Sequence, residues 1–213
     1  MSLGPLVRRS FGRFERPAVE LYRSMFVNLE AFVRSIRATA GSPERVLEIG
    51  CGDGVVTERL AAVFPDAQVT GIDVCAQPGR LSRPAGPDVR FLKLSAPELW
   101  AQRPDPFQLI VLCDVLHHVP LPERRELLAC AAKLVAANGV LVLKEWVRQR
   151  TPAYLMGYCA DRFITGDDAH YLSERELHAI ASDVFGAGSI RSQFRVPPWD
   201  CNLAVVISPA LGV

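Results

Sequence analysis

The sequence predicts an α/β domain built on a doubly wound, mostly parallel seven-stranded sheet with an antiparallel last strand, preceded by an N-terminal helical extension. Three observations predict it. From Arg45 onward, short apolar runs alternate with stretches of helical period, a pattern that demands crossover connections and helices on both sheet faces. The run Val46-Leu47-Glu48-Ile49-Gly50-Cys51-Gly52-Asp53-Gly54 reads as a buried strand, a turn with glycine at alternate positions, and a helix start. The final two strand-like runs are separated only by a short loop holding Pro197-Pro198, which makes them an antiparallel pair. The architecture is Rossmann-like.

Each element follows from local chemistry. Pro17 to about Ala38 carries Val19, Tyr22, Phe26, Leu29, Phe32, Val33 and Ile36 at helical spacing, so one helix is expected, stopped by Gly41 and Pro43. This segment, within residues 1–42, lies outside the α/β domain at 43–213 and covers a sheet edge or acts as a lid. Arg45–Ile49 is strand one and Val55–Phe64 a helix. Gln68–Ile72 and Val89–Leu94 are strands two and three, and the Pro- and Gly-rich Gln77–Asp88 between them forms no long helix. Phe107–Cys113 is strand four. Glu123–Ala137 is a helix ended by Asn138-Gly139, and Val140–Trp146 is strand five. Ser173-Glu174-Arg175-Glu176 is a capping box that opens a helix to about Phe185. Ser189–Val196 and Leu203–Ser208 are the last strands.

Composition narrows the function. The 213 residues carry a net charge of +1, which gives no cationic footprint for nucleic acid. The six cysteines have no metal-binding spacing, and the arginine-rich N-terminus has no apolar run behind it. Reduced thiols and a cytoplasmic location follow. No segment has the ~18 consecutive apolar residues that a membrane span needs.

The glycine turn points to a nucleotide-like ligand. Glycine alone takes positive φ cheaply and lets peptide N–H groups meet a ligand without an intervening Cβ. A dinucleotide fingerprint would place its third glycine where Val55 stands; here it comes one residue early, at Gly54, and an acid, Glu48, precedes the first. That argues against nicotinamide and flavin. Asp73, about twenty residues past the turn, ends strand two, where a carboxylate can accept both ribose hydroxyls.

These features, with Gly71-Ile72-Asp73, Leu112-Cys113-Asp114-Val115-Leu116-His117-His118-Val119 and Asn138-Gly139-Val140-Leu141-Val142-Leu143-Lys144-Glu145, resemble the class I S-adenosylmethionine-dependent methyltransferases. The resemblance implies S-adenosylmethionine as cofactor. It places Gly50, Cys51, Gly52 and Gly54 beneath the methionyl part, with Glu48 fixing that loop and the cofactor amine. It implies that Asp73 holds the ribose, that Val74, Leu94, Ser95 and Ala96 flank the adenine, and that the Cys113 carbonyl and Asp114 meet the amine and sulfonium. Many relatives have an aspartate where Ser95 stands.

His117 and His118 follow strand four, at the sheet edge where open α/β folds bind ligands. A histidine there can take a proton from a hydroxyl as the methyl arrives. His117 matches the general base of the plant small-molecule O-methyltransferases. The expected acceptor is a hydroxyl of a phenolic or enolic metabolite. Methylation at nitrogen or carbon, and a non-catalytic cofactor-binding accessory role, are the alternatives. Residues 151–172 carry Tyr154, Met156, Tyr158, Phe163 and Tyr171, with Asp161, Asp167, Asp168 and His170. Trp146, Tyr154, Tyr158 and His170 are the candidate acceptor-binding residues. No resident metal is expected, although Asp114, His117, His118 and Asp161 are a conceivable set. The expected assembly is a monomer or homodimer acting on a small molecule.

Overall fold

The structure, a computed structural model, describes residues 14–83, 88–160, 162 and 169–208. Its strands are β1 (Arg45–Ile49), β2 (Gln68–Asp73), β3 (Val89–Lys93), β4 (Phe107–Cys113), β5 (Val135–Trp146), β6 (Ile190–Arg195) and β7 (Asn202–Ile207). They form one sheet in the order β3-β2-β1-β4-β5-β7-β6. Pairing is parallel from β3 through β5, and β7 runs antiparallel to both β5 and β6. The strand order therefore reverses between β1 and β4, and a crevice opens beyond their carboxyl ends.

Helices cover both faces because side chains alternate along each strand. Leu47, Ile110, Leu112, Leu141 and Leu143 pack on one face against Leu128 of α5 (Leu121–Leu134) and Leu177 of α7 (Glu174–Phe185). Val46, Leu109, Val111 and Val142 pack on the other against Phe32 and Ile36 of α2 (Leu29–Ala40) and Leu60 of α3 (Val55–Val63). No helix among the described residues is long and apolar enough to cross a membrane.

Three elements differ from expectation. The N-terminal segment forms two helices, α1 (Glu15–Ser24) and α2, because Asn28 is extended and its side-chain oxygen accepts from Ala31 N at 2.9 Å. Its own N–H is taken by the Pro197 carbonyl at 2.7 Å. Apolar periodicity runs straight through this break, so the pattern alone cannot reveal it. Second, α5 ends at Leu134, and Asn138-Gly139 lies within the β5 span. Gly139 serves a close crossing instead of a helix stop: a Cβ there would sit 3.0 Å from the carbonyl oxygens of Phe107 and Gln108. Third, a short helix, α4 (Ala96–Ala101), follows β3, opened by a capping box between Ser95 and Glu98 with proline in its first turn.

Asn28→Ala removes the cap that starts α2, and we expect a loss of about 1 kcal/mol in urea unfolding. An unchanged midpoint would mean that Pro197 alone holds the break.

Candidate active site

The glycine turn is shaped by the end of β2. Gly50 N and Cys51 N both donate to the Ile72 carbonyl, at 2.8 and 3.0 Å. Gly52 N donates to Asp73 Oδ2 at 2.7 Å, while Asp73 Oδ1 accepts from Cys75 N at 2.8 Å. Each carboxylate oxygen keeps a second lone pair for a ligand hydroxyl. Glycine is required twice over at Gly50 (φ +77°) and Gly54 (φ +84°). A Cβ on Gly50 would lie 2.6 Å from Val115 Cγ2, and one on Gly54 would lie 2.6 Å from the Gly79 Cα.

The other expected cofactor residues divide into two groups. Val74 is exposed beyond Asp73, and Leu94 is half-buried against the core. The Ser95 hydroxyl is engaged in the α4 cap, and Ala96 is buried in the core, so neither side chain is presented as an open adenine contact. Cys51 is buried with its thiol toward Gly71, leaving its backbone for the turn.

Glu48 is 2% exposed and hydrogen-bonds to the Thr57 hydroxyl of α3. It therefore ties β1 to the helix after the turn. Burial pushes its carboxyl up to about 8 against the lowering effect of Thr57, with Asp53 and Asp73 raising it further and Arg23 lowering it.

Two charged residues that sequence reasoning quotes without a role, Lys144 and Glu145, organise the loop after β4. Asp114 has φ +57°, and its backbone N–H donates to the Lys144 carbonyl at 2.8 Å. Its Oδ2 accepts from Lys144 Nζ at 2.5 Å. Lys144 is 1% exposed. Burial works against both charges, yet their attraction wins: Asp114 sits below the usual carboxylate range and Lys144 above the usual amine. Asp114 Oδ1 is buried and makes no hydrogen bond among the described residues.

Glu145, also buried, spends Oε1 on the N–H groups of Val115 and Leu116 at 3.0 and 2.7 Å. Its Oε2 lies 2.7 Å from His117 Nδ1. His117 is 4% exposed, whereas His118 is exposed beside it with ring centroids 4.1 Å apart. The two adjacent histidines are thus unequal in the fold. The signal available was a Lys-Glu pair inside an otherwise apolar strand.

Aromatic residues gather around His117. Tyr171 stacks on His117 at 5.1 Å and meets Tyr154 edge-on at 5.7 Å and Tyr158 at 6.4 Å. Tyr154 and Tyr158 lie on α6 (Pro152–Cys159). Trp146 is buried against Phe26 and under Gly157. His170 is exposed, and its backbone holds the loop instead: its N–H donates to the His117 carbonyl at 2.9 Å, and its own carbonyl accepts from buried Arg124 at 2.7 Å. Asp161, Phe163, Asp167 and Asp168 lie outside the described residues. Asp114, His117 and Glu145 offer ligand atoms within 4.8 Å of one another, a grouping that has Glu145 and lacks His118, while Asp161 of the expected set lies outside the described residues.

A family model of the methyltransferase domain matches residues 21–184. The chain belongs to that family. It is 29% identical over 145 residues to a ubiquinone biosynthesis O-methyltransferase of Dechloromonas aromatica, covering 63% of this chain and 60% of that protein. It is 36% identical over 135 residues to the Bordetella parapertussis protein of that name, covering 61% and 54%. The match thus spans only about half to three fifths of the length of these relatives. Among solved structures it is similar to 1,6-didemethyltoxoflavin-N1-methyltransferase of Burkholderia thailandensis with S-adenosylhomocysteine bound: TM-score 0.66, 18% identity, 96% of this chain and 88% of that one. It is also similar to magnesium protoporphyrin IX methyltransferase of Synechocystis: TM-score 0.61, 18% identity, 95% and 97%. The fold is that of the class I methyltransferases.

Glu48→Gln tests the buried carboxyl. A native value near 8 against an ordinary 4.5 means that the unfolded chain loses this proton first as pH rises. Wild-type stability from this group is full below the ordinary value and is lost as pH rises toward about 8. Glu48→Gln has no such loss, so its melting temperature relative to wild type should rise by several degrees between about pH 5 and about pH 8. A gap that does not change with pH would place the carboxyl at its ordinary value.

Proposed function

We propose that this protein transfers a methyl group from S-adenosylmethionine to a hydroxyl oxygen of a phenolic or enolic small molecule. The fit to that donor is supported by a bare-peptide turn at Gly50–Gly54 that a Cβ would fill, a ribose-type acid at Asp73, and the buried, unpartnered oxygen of Asp114. The names of the O-methyltransferase relatives support the oxygen acceptor. The six free thiols support a reducing, cytoplasmic setting.

When bound, S-adenosylmethionine supplies an electrophilic methyl group on a positively charged sulfur, transferred by in-line displacement. The chain's own residues do the rest. The glycine turn and Asp73 position the donor, and alignment in a dry crevice can account for up to ~7–11 kcal/mol of barrier reduction in favourable cases. Tyr154, Tyr158 and Tyr171 offer aromatic faces to a flat acceptor and exclude water.

The observation that carries the oxygen reading is the 2.7 Å contact between His117 Nδ1 and Glu145 Oε2. Both Glu145 oxygens accept, so the tautomer assigned from this network protonates Nδ1 and leaves Nε2 as the basic nitrogen. The buried carboxylate behind the ring then stabilises the imidazolium that forms when Nε2 takes the hydroxyl proton. His118, exposed beside that ring, suits contact with the acceptor.

The test is transfer of labelled methyl from S-adenosylmethionine to a panel of phenols, catechols and amines. His117→Asn keeps a donor for Glu145 and removes the base. We expect turnover on hydroxyl acceptors to fall about 10²–10⁴-fold with little change in S-adenosylhomocysteine affinity. Undiminished turnover would remove His117 from the reaction. Transfer to amines alone would move the reading to N-methylation.

A further inference from the structure

Arg124 lies in the first turn of α5 and is 1% exposed, one of the largest fully buried side chains among the described residues. Its Nε donates to the Val119 carbonyl at 2.8 Å and its Nη2 to the His170 carbonyl at 2.7 Å, while Nη1 makes no hydrogen bond among the described residues. None of its three nitrogens is hydrogen-bonded to a carboxylate among those residues. Burial works against its charge, and Glu145 and Glu176 favour it through space. Arg16, Arg23 and Arg45 also hold a buried, unbonded nitrogen, but each is paired with an acid. A buried cation that meets two carbonyls is a poor source of stability, because neutral acceptors only partly offset its desolvation. What it does supply is geometry: a planar, rigid fork fixes the position of one backbone segment against another.

Those two segments meet at His117. Val119 closes the short helical turn Leu116–His118 that carries this histidine. His170 lies on the chain returning from α6 to α7, and its N–H donates to the His117 carbonyl at 2.9 Å. The next residue, Tyr171, stacks on the His117 ring at 5.1 Å with the two planes 22° apart. The contacts therefore close a ring: Arg124 to His170, His170 to His117, and along the turn to Val119, which returns to Arg124. Glu145 fixes the imidazole at Nδ1. The ring of contacts through Arg124 fixes how the Tyr171 face lies against it.

We propose that Arg124 is a positioning residue for methyl transfer, which acts through His117 by clamping the turn after β4 to the segment that carries Tyr171. The inference rests on the reading of His117 as the base. Neither hydrogen-bond partner of Arg124 belongs to the glycine turn or to the end of β2. Loss of the clamp should therefore disturb the acceptor's proton transfer and spare the binding of the donor.

The test is a double-mutant cycle on the full chain, read as turnover of a phenol or catechol that the wild type methylates, with S-adenosylhomocysteine affinity measured by calorimetry beside it. Arg124→Met keeps an unbranched side chain in the site and removes the fork. We expect turnover to fall about 10- to 100-fold, the cost of a misplacement near 1 Å, with S-adenosylhomocysteine affinity unchanged. In a His117→Asn background the same substitution should cost no more than about twofold, because residues that act as one unit are not additive. Arg124→Lys keeps a buried cation for the case where the methionine variant does not fold. It lacks the planar fork, so it should show a smaller loss that likewise vanishes in His117→Asn. Losses that multiply, or full turnover in Arg124→Met, overturn the assignment and leave His117 as the base. Undiminished turnover in His117→Asn alone overturns the base reading, and the inference with it.

Discussion

Three successive N–H groups of the turn after β1 are taken by two adjacent residues at the end of β2: the Ile72 carbonyl accepts from Gly50 and Cys51, and the Asp73 carboxylate accepts from Gly52. That tie sets the path of the turn, and the positive φ values at its glycines follow from it. It also sets what can stand opposite. Val115 packs so closely over Gly50 that no Cβ fits between them, and the Val115 N–H is held by Glu145. Glu145 in turn holds His117. The glycine turn and His117 are therefore linked through three successive contacts.

The charges of the crevice are built into strands. Lys144 and Glu145 are consecutive in β5, and side-chain alternation sends them to opposite faces of the sheet. Lys144 lies on the side of Val142, the α2 and α3 side, and supports Asp114. Glu145 lies on the side of Leu143, the α5 and α7 side, and supports His117. One dipeptide thus supplies a buried cation to Asp114 and a buried carboxyl group to His117. Each would be costly alone; each is retained because its partner and neighbouring peptide groups satisfy it.

The two N-terminal helices are held in different ways. Beyond the Asn28 cap, α2 buries Leu29, Phe32, Val33 and Ile36 and acts as a core helix. Before it, α1 leaves Leu21 exposed, as is Met25 just after it, and is held largely through ion pairs and polar contacts. Trp199 and Asn202 grip the link between the two, at the carbonyls of Met25 and Phe26. A helix held by such contacts is easier to displace than one seated in the core.

Read by itself, the sequence determined the sheet, its parallel core, the antiparallel end, the glycine turn and the acid at Asp73. Each of these is written in a few neighbouring residues, as a period of two or 3.6, a capping pattern, or a glycine where φ is positive. Ser95-Ala96-Pro97-Glu98 carried the same kind of signal for α4, although it reads as a ligand contact when the family pattern is laid over it. Tertiary structure alone decided which of two adjacent histidines is buried, that Lys144 pairs with Asp114 and Glu145 with His117, and that Arg23 reaches a turn 30 residues away. The reason is physical: a local pattern reports the backbone's own preferences, whereas a buried charge is stable only beside partners that the completed fold brings together.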